Sequence, residues 1–290
     1  MDHEGKEYPR NHWIRSDDAP RALDAYLEQQ GKAYSRVKND FVTELLGNLS
    51  GKRFLDYGCG GGMFTVYAAR QGAAEVVGVD ALESVLNTAR YFAAREGVLS
   101  ACSFIRSDSF PKTLTPRFDV VLMKDVIEHV PEDGDLLRRA AAALVPGGVL
   151  VLSTQNSLSL NFLIQGTYRR HVLGEKEWFG WDETHLRFYT PISLSSALRG
   201  AGFEPVAWRS AYIIPYRLPR LPGSKRQFLR IDALSWIDRA LGGMFPYNRL
   251  GWNIIVKAQS SELVKQRVPL WPLVAEGASE FPLAPGAEHA

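Results

Sequence analysis

The sequence predicts an α/β protein organised on one doubly wound, mostly parallel sheet of seven strands. Three observations predict it. From Arg53 to Thr154, short apolar runs alternate with segments of helical periodicity, the pattern of a parallel sheet covered by helices on both faces. The run Phe118-Asp-Val-Val-Leu-Met123 is nearly continuous in apolar character, as a strand buried on both faces must be. Asp56, Asp80, Asp108 and Lys124 all fall where successive strands end. Ligands of such sheets bind outside the carboxyl ends of the strands.

Taken in order, residues 1–21 form a polar, irregular extension with Trp13 as its one large anchor. Residues 22–259 form the domain proper. Ala22 to Leu49 reads as one or two helices, because Leu23, Tyr26 and Leu27, then Val37, Phe41, Leu45 and Leu46, keep helical spacing. Asn48-Leu-Ser-Gly51 stops them. Phe54-Leu55-Asp56 is the first strand, Met63 to Gly72 a helix, and Glu75 to Asp80 the second strand. Leu82 to Gly97 is helical, with Leu82, Val85, Leu86 and Ala89 on its apolar face. Cys102 to Arg106 is the third strand, Phe118 to Met123 the fourth, and Asp133 to Leu144 an Ala- and Leu-rich helix. Pro146-Gly147-Gly148 turns the chain into a fifth strand ending at Thr154. A helix from Ser193 to Ala201 precedes a sixth strand near Phe203 to Trp208, and Trp252 to Ala258 makes the last. Two insertions, at about 155–190 and 212–250, are expected to form a cap. The first is aromatic; the second carries a helical stripe of Phe228, Leu229, Ile231, Leu234, Ile237 and Leu241. Residues 260–290, rich in Pro, Ala, Gly and Glu, read as a flexible tail.

Composition narrows the function classes. The chain has 290 residues, 46% hydrophobic content and a net charge of +2. That supports a substantial core and supplies no large field for nucleic acid. The two cysteines, Cys59 and Cys102, have neither metal nor disulfide spacing. The polar N-terminus lacks an apolar signal region, and no run of about 18 apolar residues exists. A cytoplasmic location fits. Arg217, Arg220, Lys225, Arg226 and Arg230 lie beside the stripe of the second insertion, so 215–247 is either a packed helical cap or a peripheral contact with an anionic membrane. The oligomeric state is left open.

The stretch FLDYGCGGG, Phe54 to Gly62, carries the chemistry. Glycines let a ligand approach the backbone, and the following helix N-terminus offers unpaired N–H groups. Asp80, 18 positions past Gly62, can accept hydrogen bonds from two ribose hydroxyls. A dinucleotide site wants G-x-G-x-x-G, but starting at Gly58 the sixth residue is Met63. The pattern present is D-x-G-x-G-x-G. An acid in the turn repels a pyrophosphate and welcomes the ammonium of a methionine moiety.

This stretch resembles motif I of class I S-adenosylmethionine-dependent methyltransferases, whose sheet is Rossmann-like. The segment DVIEHVPE, from Asp125 to Glu132, resembles the E-x-x-E-H-V-P of ubiquinone-pathway O-methyltransferases, and THLRFYTP, from Thr184, is similar in order to the same group. The resemblance implies S-adenosyl-L-methionine as cofactor, held by Asp56, Gly58, Gly60, Gly62, Asp80, Ala81, Asp108, Ser109, Lys124 and Arg36. A small-molecule acceptor is expected near Trp178, Trp181, Arg187 and Tyr189, in the aromatic insertion. His129, Glu128 and His185 are the catalytic candidates, because imidazoles titrate where a hydroxyl's proton can be taken near neutrality. A structural turn pair at Glu128 and His129 remains the other reading. Asp125 stands where the family has Glu, and no metal is assigned. The function expected is methyl transfer to a hydroxyl of a small aromatic or lipid-like molecule. The alternatives are transfer to nitrogen or to a sugar or lipid head group, a cofactor-binding protein without turnover, and an NAD-dependent oxidoreductase.

Overall fold

In the computed structural model, residues 12–107, 117–178, 180, 184–219 and 228–261 are described. Two helices open the chain, α1 (Ala19–Gln30) and α2 (Ala33–Leu46). Asp18 caps α1 by accepting the Arg21 N–H at 3.2 Å, satisfying one of the free donors of the first turn. Then come β1 (Arg53–Tyr57), α3 (Met63–Arg70), β2 (Glu75–Asp80), α4 (Glu83–Arg95), β3 (Cys102–Arg106), β4 (Phe118–Lys124), α5 (Asp133–Ala143) and β5 (Leu144–Gln155). The remaining elements are α6 (Leu160–His171), α7 (Pro191–Gly200), β6 (Phe203–Ala211), β7 (Arg217–Pro219), β8 (Phe228–Arg230), α8 (Ser235–Leu241) and β9 (Asn253–Ser260).

Seven strands form one sheet in the order β3-β2-β1-β4-β5-β9-β6. The pairs from β3 through β5 are parallel, and β9 runs antiparallel between β5 and β6. The order reverses at β1, where neighbouring connections leave on opposite faces and open a crevice. β4 shows why the sheet is buried on both sides. Phe118, Val121 and Met123 pack with Leu136, Leu137, Leu194 and Leu198 of α5 and α7. The alternate residues Val120 and Leu122 pack with Val37, Phe41, Leu45 and Phe64 of α2 and α3. Burying one such side chain contributes about 1.5–3 kcal/mol.

The expected elements recur with shifted ends and two changes of type. β5 takes in Pro146-Gly147-Gly148, expected as a turn. Phe118 pairs with Leu144 and Val120 with Val149, so these residues bulge out of register instead of ending the strand. The helical stripe expected from Phe228 to Leu241 is not one helix. Phe228–Arg230 pairs antiparallel with Arg217–Pro219, and the Ile231 N–H donates to the Tyr216 carbonyl at 2.9 Å. Those backbone groups are spent across a hairpin, which leaves only Ser235–Leu241 for α8. Arg217 and Arg230 lie on that hairpin; Arg220, Lys225 and Arg226 lie outside the described residues. Buried Asp238 ties α8 to the end of β6, accepting from the N–H of Tyr212 at 2.5 Å and of Ile213 at 3.0 Å, and from the Tyr216 hydroxyl. On α6, Phe162 packs inward while Leu160, Leu163, Ile164 and Tyr168 stay exposed. Among the described residues no helix is long and apolar enough to cross a membrane.

Candidate functional site

The glycine turn between β1 and α3 is fixed by its backbone. Gly58 and Gly62 have φ of 74° and 84°, where residues with a Cβ are strained. A Cβ at Gly58 would lie 2.4 Å from Val126 Cγ2, and one at Gly62 would lie 2.9 Å from Ala89 Cβ. The turn is therefore a cradle that only glycine leaves open. The Asp80 carboxylate braces it, accepting the N–H of Gly60 and of Leu82, each at 3.1 Å. Burial raises the Asp80 carboxyl above its ordinary range, while those N–H groups hold it back. Asp56 is 2% exposed and accepts the Thr65 hydroxyl at 2.7 Å. Burial pushes it up to about 6, against the opposing pull of Thr65 and Lys124.

Two cavities open along the strand tips and share Trp13, Ile14, Gly58, Gly60, Asp125 and His129 in their walls. One, of about 490 Å³, adds Asp80, Ala81, Leu82, Val85 and Ser107. The other, of about 450 Å³, adds Tyr34, Lys38, Asp56, Lys124, Gln155, His185 and Trp252. Trp13 closes over the turn: its ring lies 4.8 Å from that of Tyr26, and its indole N–H donates to Gln29 at 3.0 Å. A smaller cavity of about 210 Å³, lined by Ile192, Trp208 and Arg249 among others, lies away from the strand tips.

Past β4 the chain turns sharply at Asp125, whose φ is 56°. Its N–H donates to the Ser153 carbonyl at 3.1 Å. The Asp125 carboxylate pairs with Lys38, accepts Ser153 Oγ at 2.9 Å and lies 3.5 Å from Lys124 Nζ. Burial alone would raise this carboxyl; the two lysines outweigh it and hold the group well below the usual range. Glu128 is fully buried and accepts Thr154 Oγ1 at 2.8 Å. Burial and then Asp125 push its carboxyl upward. His129 and His185 stand edge to face with ring centres 4.7 Å apart. The ligand atoms of Glu128, His129 and His185 all lie within 4.8 Å of one another, a set that could hold a divalent cation. Glu128 Oε1 is buried without a hydrogen-bond partner among the described residues.

The structure sorts the expected site residues. Asp56, Gly58, Gly60, Asp80, Ala81, Lys124, His129 and His185 all line the two cavities. Gly62 stands one step behind, opening α3, and Glu128 sits beneath the wall. Asp108, Ser109 and Trp181 lie outside the described residues. Arg36 is exposed and lines neither cavity; on α2 it points away from the face that carries Tyr34. Lys38 lines the cavity in its place, with Nζ 5.3 Å from the Tyr34 ring centre. The four-residue spacing from Tyr34 was the signal for it. Arg187 and Tyr189, expected near the acceptor, line neither of the two cavities at the strand tips. Arg187 pairs with Asp133 at 3.0 Å and donates to the Pro131 carbonyl at 2.6 Å. The buried Tyr189 donates its hydroxyl to Asp133 at 2.5 Å. Both tether the start of α5. Trp178 packs on Phe162 at 5.3 Å, and Phe162 stacks at 11° on Trp252, so Trp178 stands one ring behind the wall. Trp13, Gln155 and Trp252 are cavity residues that the motifs did not mark.

A glycine cradle at the switch point of a doubly wound sheet, an acid at each of the first two strand tips and a cavity between them define a class I S-adenosylmethionine-dependent methyltransferase. The family described as "Methyltransferase domain" matches residues 26–207, and the chain belongs to it. The ubiquinone biosynthesis O-methyltransferase of Bordetella avium is 30% identical over 177 residues, 61% of this chain and 72% of the relative. That of Alkalilimnicola ehrlichii is 37% identical over 167 residues, 57% and 66% of the two chains. Among solved structures, an S-adenosylmethionine-dependent methyltransferase from Mesorhizobium loti superposes with a TM-score of 0.50 at 21% identity, covering 82% of this chain and 99% of its own. That likeness speaks to the fold.

Proposed function

We propose that the protein moves a methyl group from S-adenosyl-L-methionine to a hydroxyl of a small aromatic or lipid-like molecule. The cofactor supplies the methyl on a positively charged sulfur. What this chain supplies is binding, alignment and a place for the acceptor's proton. In this reading Asp80 takes the ribose hydroxyls, the glycine turn admits the backbone contact, and Asp56 and the lysine-flanked Asp125 frame the amino-acid end. Alignment of nucleophile and methyl can contribute about 7–11 kcal/mol.

The observation that carries the choice of oxygen is the pairing of His129 with His185 in the wall of the cavity that also holds the glycine turn. An imidazole there can take a hydroxyl proton during attack. Thr184 holds His129 in place: its carbonyl and hydroxyl oxygens both lie 3.3 Å from His129 Nδ1. Trp252, backed by Phe162 and Phe188, gives an aromatic wall suited to a ring, and the exposed apolar face of α6 supports a lipid-like acceptor approaching from that side. The names of the relatives favour the same chemistry. A transfer assay with methyl-labelled cofactor checks it, using catechol and simple phenols against primary amines and sugars. Label appearing on the phenolic compounds is the expected outcome. Label on amines alone, or on sugars alone, would replace this reading with one of the others.

A further inference from the structure

Lys124 ends β4 among three other charged side chains, and its ammonium is the least firmly held. Asp125 is already taken by Lys38 and by Ser153 Oγ at 2.9 Å, which leaves Lys124 the longer contact of 3.5 Å. The Lys124 side chain is 16% exposed and lines the cavity. The groups that face it are Lys38 from α2, Asp125 from the turn after β4 and Asp56 from β1. Farther out, Asp80 on β2 acts on Asp56, and Tyr34 and Glu128 act on Lys38. Burial, then the charge of Lys38, brings the Lys124 ammonium down to about 8. Lys38 is lowered by burial but raised more strongly by Asp125 and Tyr34, so it keeps its proton. A sulfonium entering this cavity is a further positive charge, and repulsion between buried charges is several-fold stronger than in water.

We infer that Lys124 gives up its proton to solvent when the sulfonium cofactor binds, so that this residue tells the charged methyl donor from the neutral thioether left after transfer. The sign follows from charge. A cationic ligand favours the neutral amine, so donor affinity rises with pH until Lys124 is already neutral in the free protein. The thioether has lost the charge on sulfur and drives no such release. Lys124 therefore regains its proton in the product complex, where an ammonium meets no cation on sulfur.

Calorimetry tests this without an acceptor. S-adenosylmethionine and S-adenosylhomocysteine are each titrated into wild type and Lys124→Met at pH 7, in phosphate and in Tris, whose ionisation enthalpies differ. Wild type should release close to one proton more per donor molecule than Lys124→Met, and the two proteins should match for the thioether. The donor's own amine and Asp56 also titrate, and Lys124 acts on Asp56; Lys124→Arg keeps a positive charge beside Asp56 without titrating, so a release lower than that of wild type in both variants isolates Lys124. From pH 7 to pH 9 the donor-to-product affinity ratio of wild type should climb about tenfold relative to that of the variant. Lys124→Arg, charged throughout, should disfavour the donor at every pH. Equal proton release by wild type and Lys124→Met would overturn the inference. So would a wild-type ratio that does not rise with pH, or a Lys124→Arg protein with an unchanged ratio; these two arms decide the matter even if Lys124→Met fails to fold.

Discussion

The two ends of the cavity are built on different principles. At the glycine turn the wall is backbone: a nine-residue stretch sets the turn, and Asp80 braces it through two N–H groups. At the end proposed for the acceptor, the wall is made of side chains drawn from the turn after β4, the tip of β5, the segment before α7 and the residue before β9. His129 and Thr184, which meet there, are 55 positions apart in the chain. A backbone site tolerates few substitutions because the chain path itself is the binding element. A side-chain site can change its occupant one residue at a time without moving the strands.

Substitutions can sharpen that contrast. The largest effect is expected from His129→Ala, which should lower turnover by about 10²–10⁴-fold, the usual contribution of a general base, with donor affinity nearly unchanged in calorimetry. An equal loss of both would place His129 with the cofactor and erase the division. Asp80→Ala should do the reverse, weakening donor binding by about 1–3 kcal/mol while the acceptor's KM at saturating donor stays put. Arg187→Ala should be mildest. Its pairing with Asp133 is part-exposed, so about 0–1 kcal/mol of stability is at stake. A small fall in Tm with unchanged acceptor KM is the expected result; a raised KM would return Arg187 to the acceptor site.

The same contrast explains what could be read from residues alone. Strand, glycine turn, helix and second acid are local signals, and each recurs close to its expected position. The antiparallel placement of β9 between β5 and β6 had no such local signal, because it is set by pairing across the sheet. Arg36 misled because it stands next to the right face: a helix turns about 100° per residue, so Tyr34 shares its side with Lys38 and not with Arg36. Arg187 and Tyr189 misled because a charged and an aromatic residue near a site look alike whether they hold substrate or hold α5. Only Asp133, 54 positions before Arg187, separates the two cases. The apolar residues from Phe228 onward have helical spacing, but pairing with Arg217–Pro219, a tertiary event, overrode it.

The family match begins at residue 26, yet Trp13 and Ile14 wall both cavities, and Ile14 is pinned to α4 by the Ser84 hydroxyl at 2.7 Å. A boundary drawn from sequence kinship would amputate part of the pocket while leaving every hallmark motif intact. Such a fragment would keep the signature of the enzyme and lose its roof.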